Sequence, residues 1–123
     1  MSLFNGRIAE QRAENYLQQQ GMSTLQKNYY CPSGEIDLIM QENNEIIFIE
    51  VRSRKSIDFG TAAETVDRKK QRKIITTAKF FLHHNSWATS MMCRFDIIEV
   101  QIDGEDIQWI KDAFTLGSKF SIF

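Results

Sequence analysis

Residues 34–54 read GEIDLIMQENNEIIFIEVRSR and decide the fold. Apolar and polar residues alternate in the first part, which predicts a strand over residues 35–40. In this alternation Ile36, Leu38 and Met40 share one face. Residues 46–51 form a nearly continuous apolar run, as expected of a central strand covered on both faces. The short polar stretch between the two runs predicts that they pair as a hairpin.

The flanking sequence supplies two helices and three further strands. We predict a helix over residues 5–20 with Asn5 as N-cap, a strand over 24–30, a helix over 62–84, and strands over 93–102 and 106–110. The order α-β-β-β-α-β-β predicts an α/β fold of α+β-like character, in which helices flank a central mixed sheet. We predict one domain over residues 1–116 and a C-terminal tail over 117–123.

Composition limits the classes of function. The chain has 123 residues and a net charge of −1, so any affinity for nucleic acid must come from a local patch. Eight of the fifteen Lys and Arg residues lie between positions 52 and 73. The two cysteines lack zinc-like partners, and neither a signal peptide nor a membrane-length apolar run is evident. We therefore expect a cytoplasmic protein without a membrane partner.

Two carboxylates on the central hairpin suggest a metal site. If Asp37 and Glu50 face each other across neighbouring strands, their repulsion is about 4 kcal/mol at ~4 Å for an effective dielectric near 20. A divalent cation such as Mg²⁺ offsets this repulsion and leaves coordination positions free for a phosphate. In the alternative interpretation, Arg52 neutralises one carboxylate and the cluster is an ordinary ion-pair network.

The second helix predicts a basic contribution to the same region. Its apolar stripe comprises Ala63, Val66, Ile74, Ala78 and Phe81. Steps of four along this stripe reach Lys70, so this lysine should face the sheet. Alternatively, its stem covers apolar surface while the ammonium reaches solvent.

Other charged residues extend the predicted site. Lys69, Arg72 and Lys73 form a basic helix face near Arg54, which suits contact with a phosphate backbone, although such a face is usually only solvated. Glu10 lies at the margin of the apolar stripe of the first helix. It is a candidate third carboxylate, although a surface role is commoner for glutamate.

These residues together resemble a known family. The motifs are GRIAE at 6–10, GEIDLI at 34–39, FIEVRSR at 48–54, Val66-x-x-x-Lys70, CRFDII at 93–98 and WIKDAF at 109–114. The chain resembles the YraN, or UPF0102, family of bacterial proteins with a restriction-endonuclease-like fold. That family is similar to archaeal Holliday-junction resolvases, which use an E…D…E-x-K arrangement. The resemblance implies Mg²⁺- or Mn²⁺-dependent cleavage of DNA, with branched DNA as the substrate class.

Carried over by position, the resemblance assigns Glu10, Asp37 and Glu50 to the site, with Lys70 as the helix lysine. Arg52 stands where the resolvases have lysine. Because arginine keeps its proton, it cannot act as a base, although it can orient water or neutralise charge.

Two hypotheses follow. In the first, the protein is a nuclease in which Asp37, Glu50, the Val51 carbonyl and Glu10 hold the metal. Arg52 and Lys70 then position water or phosphate, while Arg54, Lys69, Arg72 and Lys73 hold DNA. Branched substrates would favour a homodimer. In the second hypothesis, the fold binds nucleic acid or a partner without turnover. A purely structural acidic cluster is the third and least favoured interpretation.

Overall fold

A mixed five-stranded sheet forms the centre of the protein in the computed structural model, which describes residues 3–58 and 66–115. The elements are α1 (Leu3–Gln19), β1 (Ser23–Cys31), β2 (Gly34–Glu42), β3 (Glu45–Arg54), α2 (Arg68–His83), a 3₁₀ turn (Ser86–Ala88), β4 (Met92–Gln101) and β5 (Ile107–Phe114). The strands follow one another in sequence order across the sheet, and only the β3–β4 pair is parallel. The predicted fold class and element order are confirmed.

The two helices cover opposite faces of the sheet. On one face, Ala9, Ala13 and Leu17 of α1 pack against alternate residues of the central strands, including Ile47 and Ile49. On the other face, α2 packs against the intervening residues, including Phe48. Residues 46–51 are all buried, because the central strand is covered on both sides. This three-layer arrangement leaves the ends of the strands open for a site.

The β1–β2 hairpin contains an irregularity that the alternating pattern did not predict. Lys27 pairs with Leu38 and Tyr29 pairs with Ile36, while Asn28 between them has a φ of 50°. Ile36 packs in the α2 layer, whereas Leu38 packs in the α1 layer. The prediction that Ile36 shares a face with Leu38 and Met40 was therefore wrong. The paired strands thus change face together, β1 at Asn28, whose φ lies outside the β region, and β2 at Asp37.

The helix boundaries also differ from the predicted ones. Helix α2 begins at Arg68 and not near residue 62, because Asp67 is the N-cap and its Oδ1 accepts a hydrogen bond from the Lys70 N–H at 2.8 Å. Val66 is buried but precedes the helix. Helix α1 begins at Leu3, so Asn5 lies inside it and is not its N-cap.

Some predictions fall on residues outside the described ranges, namely Ala62 and Ala63 at the predicted start of α2 and the tail over residues 117–123. Within residues 3–58 and 66–115, no helix is long and apolar enough to cross a membrane. Cys31 and Cys93 are both free thiols, and Cys31 is buried.

Candidate functional site

Two carboxyl groups meet where β2 begins and β3 approaches its end. The antiparallel pairing of β2 with β3 runs as far as Leu38 and Ile49, and Asp37 and Glu50 are the next residues of the two strands. Asp37 Oδ2 accepts a hydrogen bond from the Val51 N–H at 2.8 Å, and the carboxyl groups of Asp37 and Glu50 are themselves in hydrogen-bonding contact. Glu50 is only 5% exposed. The hairpin thus holds the two acids together, as the sequence predicts.

The environment of Asp37 disfavours its charged form. Burial is the largest cause, followed by the charge of Glu50 and the hydrogen bond between the two carboxyl groups, and together they raise the pKa of Asp37 well above its ordinary value. The charge of Glu10 acts in the same direction, while the Val51 N–H opposes it. Additional positive charge close by would favour the charged form of Asp37.

Two basic side chains reach Glu50. Arg52 Nε lies 3.5 Å from Glu50 Oε2, and Lys70 Nζ approaches the same oxygen at 3.6 Å from helix α2. Lys70 therefore faces the sheet, as its place in the helical spacing predicts, and the Asp67 cap fixes the first turn that carries it. Its side chain is 41% exposed, so the ammonium also borders solvent. Glu50 thus lies between the partner acid and two cations.

Glu10 lies near the acidic pair but has a different partner. Its Oε1 accepts a hydrogen bond from Asn28 Nδ2 at 2.9 Å, and the same amide contacts Glu35 Oε1 at 3.2 Å. Asn28 was missed in the sequence because an asparagine within a strand has no distinguishing spacing. Asparagine does tolerate a positive φ better than most residues, and this property is the one signal available. Glu10 acts on Asp37 through its charge.

The donor set fits a hard cation that keeps part of its water shell. Among the described residues, no group of three or more Asp, Glu, His and Cys side chains converges as metal ligands, so Glu10, Asp37 and Glu50 do not form a closed cage. Mg²⁺ in phosphate-handling sites is typically held by one or two carboxylates with water and phosphate oxygens. The Asp37–Glu50 pair supplies those two groups. Val51 contacts the pair through its N–H.

Comparison with known proteins identifies the relatives of this chain. Residues 9–100 match the family described as "Uncharacterised protein family UPF0102". The chain belongs to the UPF0102 family. A UPF0102 protein from Saccharophagus degradans is 50% identical over 112 residues, which cover 91% of this chain and 93% of the relative. One from Psychromonas ingrahamii is 46% identical over 89% of this chain and 88% of the relative, and one from Vibrio parahaemolyticus is 42% identical over 95% and 100%.

The four predicted DNA contacts of this UPF0102 chain divide into two groups. Lys69, Arg72 and Lys73 are exposed on α2 and form the predicted basic face. Arg54 is engaged within the protein: Nη1 donates to Glu99 Oε1 at 3.2 Å, and Nη2 donates to the Asp58 carbonyl at 2.6 Å. The structure therefore gives Arg54 a part in holding the loop that follows β3.

Two motifs that point to the UPF0102 family meet away from the acidic pair. Asp96 of CRFDII is fully buried and accepts hydrogen bonds from Arg94 Nε at 3.0 Å, from Trp109 Nε1 at 2.8 Å and from the Asp112 N–H at 2.9 Å. Trp109 and Asp112 belong to WIKDAF. Arg94 also contacts Glu45 at 2.7 Å. These contacts tie β4 to β5 and explain the two motifs as structural.

Proposed function

We propose that this UPF0102 protein is a divalent-metal-dependent nuclease that hydrolyses phosphodiester bonds in DNA. The observation that supports the proposal is the contact between the Asp37 and Glu50 carboxyl groups, with Lys70 beside them at the open edge of the site. Two adjacent carboxylates cost free energy unless a cation binds there. Paired carboxylates next to a basic group suit the hydrolysis of a phosphodiester, whose charge increases in the transition state.

Each side chain has a distinct task in this proposal. Asp37 and Glu50 would hold Mg²⁺ or Mn²⁺, and the bound ion would supply a Lewis acid and a water molecule of lowered pKa. Glu10 would add negative charge that favours the cation while Asn28 keeps it in place. Lys70, whose side chain is 41% exposed, would neutralise a phosphate oxygen and position it.

Arg52 distinguishes this chain from the resolvase pattern. Its guanidinium lies beside Glu50 but keeps its proton, so its role would be to orient water or neutralise charge and not to accept a proton. The exposed Lys69, Arg72 and Lys73 would bind the DNA backbone on the α2 side. Branched DNA is the proposed substrate class, and paired cuts in such a substrate would require two sites related by a two-fold axis in a homodimer.

A second candidate is a nucleic-acid-binding module that does not cleave. One observation favours it: Glu50 already has both Arg52 and Lys70 within 4 Å, so protein cations offset part of the charge that a metal would offset. In that case the fold and the basic face would serve binding alone.

A cleavage assay with matched variants tests the proposal. Labelled linear, forked and four-way DNAs are incubated with the wild type in Mg²⁺ or Mn²⁺, beside Asp37→Asn and Glu50→Gln. Glu14→Gln is the control, because Glu14 of α1 is also a buried carboxylate but pairs with Lys27 of β1. We expect cleavage by the wild type and the control, and a loss of about a hundredfold or more in the two site variants. Cleavage that persists in both would refute the assignment, while binding without cleavage by the wild type would favour the second candidate.

A further inference from the structure

An exposed apolar side chain stands next to the basic part of the proposed site. Ile57 follows β3 and is 76% exposed. It borders a surface depression of about 520 Å³ that Arg52, Lys55, Asn5 and Ile102 also line. This volume lies within the range of small ligand clefts, roughly 300–1,000 Å³. Arg52 connects the depression to Glu50, 3.5 Å away.

The loop that carries Ile57 is held on both sides. Ser56 donates to the Asp103 carboxylate from its N–H at 2.9 Å and from its hydroxyl at 2.8 Å. The Lys55 N–H donates to Asp58 Oδ2 at 2.8 Å, and the Asp58 N–H closes the turn on the Lys55 carbonyl at 3.0 Å. Arg54 donates to the Asp58 carbonyl. Ile57 is therefore presented at a fixed position before any ligand binds, which lowers the cost of binding.

The charged side chains that line the depression favour a polyanion. Arg52, Arg54 and Lys55 line the depression against one acid, Asp58. Phosphate groups complement this surface, and a nucleic acid offers apolar base faces beside its phosphates. Apolar side chains of DNA-binding proteins insert between base steps, and this insertion is easiest where a base is unpaired or weakly stacked.

On the basis of the nuclease function proposed above, we infer that Ile57 is a wedge that contacts an unstacked base, so that the protein selects DNA with a break in base stacking, such as a fork, over continuous duplex. Lys55 and Arg52 bind the phosphates on either side of that base. The depression receives the displaced nucleotide, and the strand continues towards Asp37 and Glu50. Specificity for structure thus comes from Ile57, whereas the basic side chains bind any DNA.

Binding without metal tests this inference separately from cleavage. Fluorescence anisotropy in EDTA compares a duplex with a fork that contains the same strand, for wild type, Ile57→Ser and Ile57→Phe. We expect Ile57→Ser to weaken fork binding at least about threefold with duplex binding unchanged, and Ile57→Phe to retain the preference. A 2-aminopurine at the fork should brighten with wild type and not with Ile57→Ser.

Two further variants sharpen the result. Met92→Ser is the control, because Met92 is 72% exposed but pairs with Glu45 at the far end of β3, about 30 Å from the loop. It should leave both affinities unchanged. Asp103→Ala removes the contact that holds Ser56 and should weaken fork preference although Ile57 is intact.

The outcomes separate this inference from the proposed function. The wedge would be overturned if Ile57→Ser weakened the binding of fork and duplex equally or changed neither affinity. It would also be overturned if the wild type bound no DNA at low salt. If fork preference depends on Ile57 but no DNA is cut in metal, the wedge stands and the nuclease proposal fails. If Asp37→Asn abolishes cleavage but Ile57→Ser discriminates as the wild type does, the nuclease proposal stands and the wedge fails.

Discussion

Asp37 on β2 and Glu50 on β3 each lie one residue beyond the Leu38–Ile49 pair, and their carboxyl groups are in hydrogen-bonding contact. This relationship gives the folded protein an electrostatic cost that the unfolded chain does not have. Burial, the charge of Glu50 and the hydrogen bond between the two groups raise the pKa of Asp37 well above the ordinary value of 3.8. The folded state therefore binds a proton at Asp37 more tightly than the unfolded state does, and stability decreases as the pH rises from the ordinary pKa through the raised one.

Asp37→Asn should stabilise the metal-free protein at neutral pH. Asparagine removes the carboxylate that opposes Glu50, while its amide oxygen can still accept the Val51 N–H. We expect the melting temperature in EDTA to rise by at least about 2 °C, and the gain to shrink in acid as the wild-type Asp37 becomes protonated. Differential scanning fluorimetry across pH measures both. A lower melting temperature at every pH would show that the carboxylate contributes to stability and is not a cost.

Mn²⁺ should stabilise the wild type and not Asp37→Asn or Glu50→Gln. A ligand at about one hundred times its Kd adds about 2.7 kcal/mol to the free energy of unfolding. Because the ligands must be ionised and the pKa of Asp37 is raised, the melting shift should increase as the pH rises. Titration by fluorimetry with each variant gives the comparison, with Glu14→Gln as the control. An equal shift in all four proteins would place the Mn²⁺ elsewhere on the surface.

Much of this arrangement could be predicted from patterns within single elements. The apolar run of β3 predicted a central strand, and helical spacing placed Lys70 on the face of α2 that reaches Glu50. A hairpin joining β2 to β3 was enough to bring Asp37 and Glu50 together. Each of these inferences depends on residues close in sequence or on regular periods, which sequence reveals directly.

The rest depends on contacts between distant residues and on local breaks in the regular periods. Asn28 of β1 adopts a positive φ where β1 and β2 change face together, which alternation does not anticipate. Val66 is buried and fits the apolar spacing of the helix, but it precedes the N-cap Asp67. The apolar spacing alone therefore predicted a start of α2 that is too early. Arg54 was predicted to contact DNA, whereas in the structure its guanidinium donates to Glu99, which lies 45 residues later in the chain. Such partners are set by packing of the whole chain.

Asp96 should be among the most sensitive positions for stability. It is fully buried and accepts hydrogen bonds from Arg94, Trp109 and the Asp112 N–H. Asp96→Ala leaves the Arg94 charge without its buried partner, and we expect a loss of roughly 3–5 kcal/mol in the free energy of unfolding. Asp96→Asn should cost less, because it still offers an oxygen acceptor. Urea denaturation gives both values, with the exposed Asp106→Ala as the control. A change below about 1 kcal/mol for Asp96→Ala would contradict the structural role.

Arg52→Lys should increase cleavage if arginine limits the chemistry. Lysine at this position can approach Glu50 as Arg52 does, and its amine can give up a proton, whereas the guanidinium cannot. A positioned general base raises the rate of a reaction about a hundredfold or more. Even a lysine that acts as a base only in part should therefore raise the cleavage rate about tenfold in Mn²⁺. Arg52→Met is the control and should lower the rate. Lys70→Met should then cost less in the Arg52→Lys background than in the wild type, since the new lysine shares its task, and the double-mutant cycle measures that coupling. A lower rate for Arg52→Lys would mean that the guanidinium itself, through its fixed donors beside Glu50, is what the site requires.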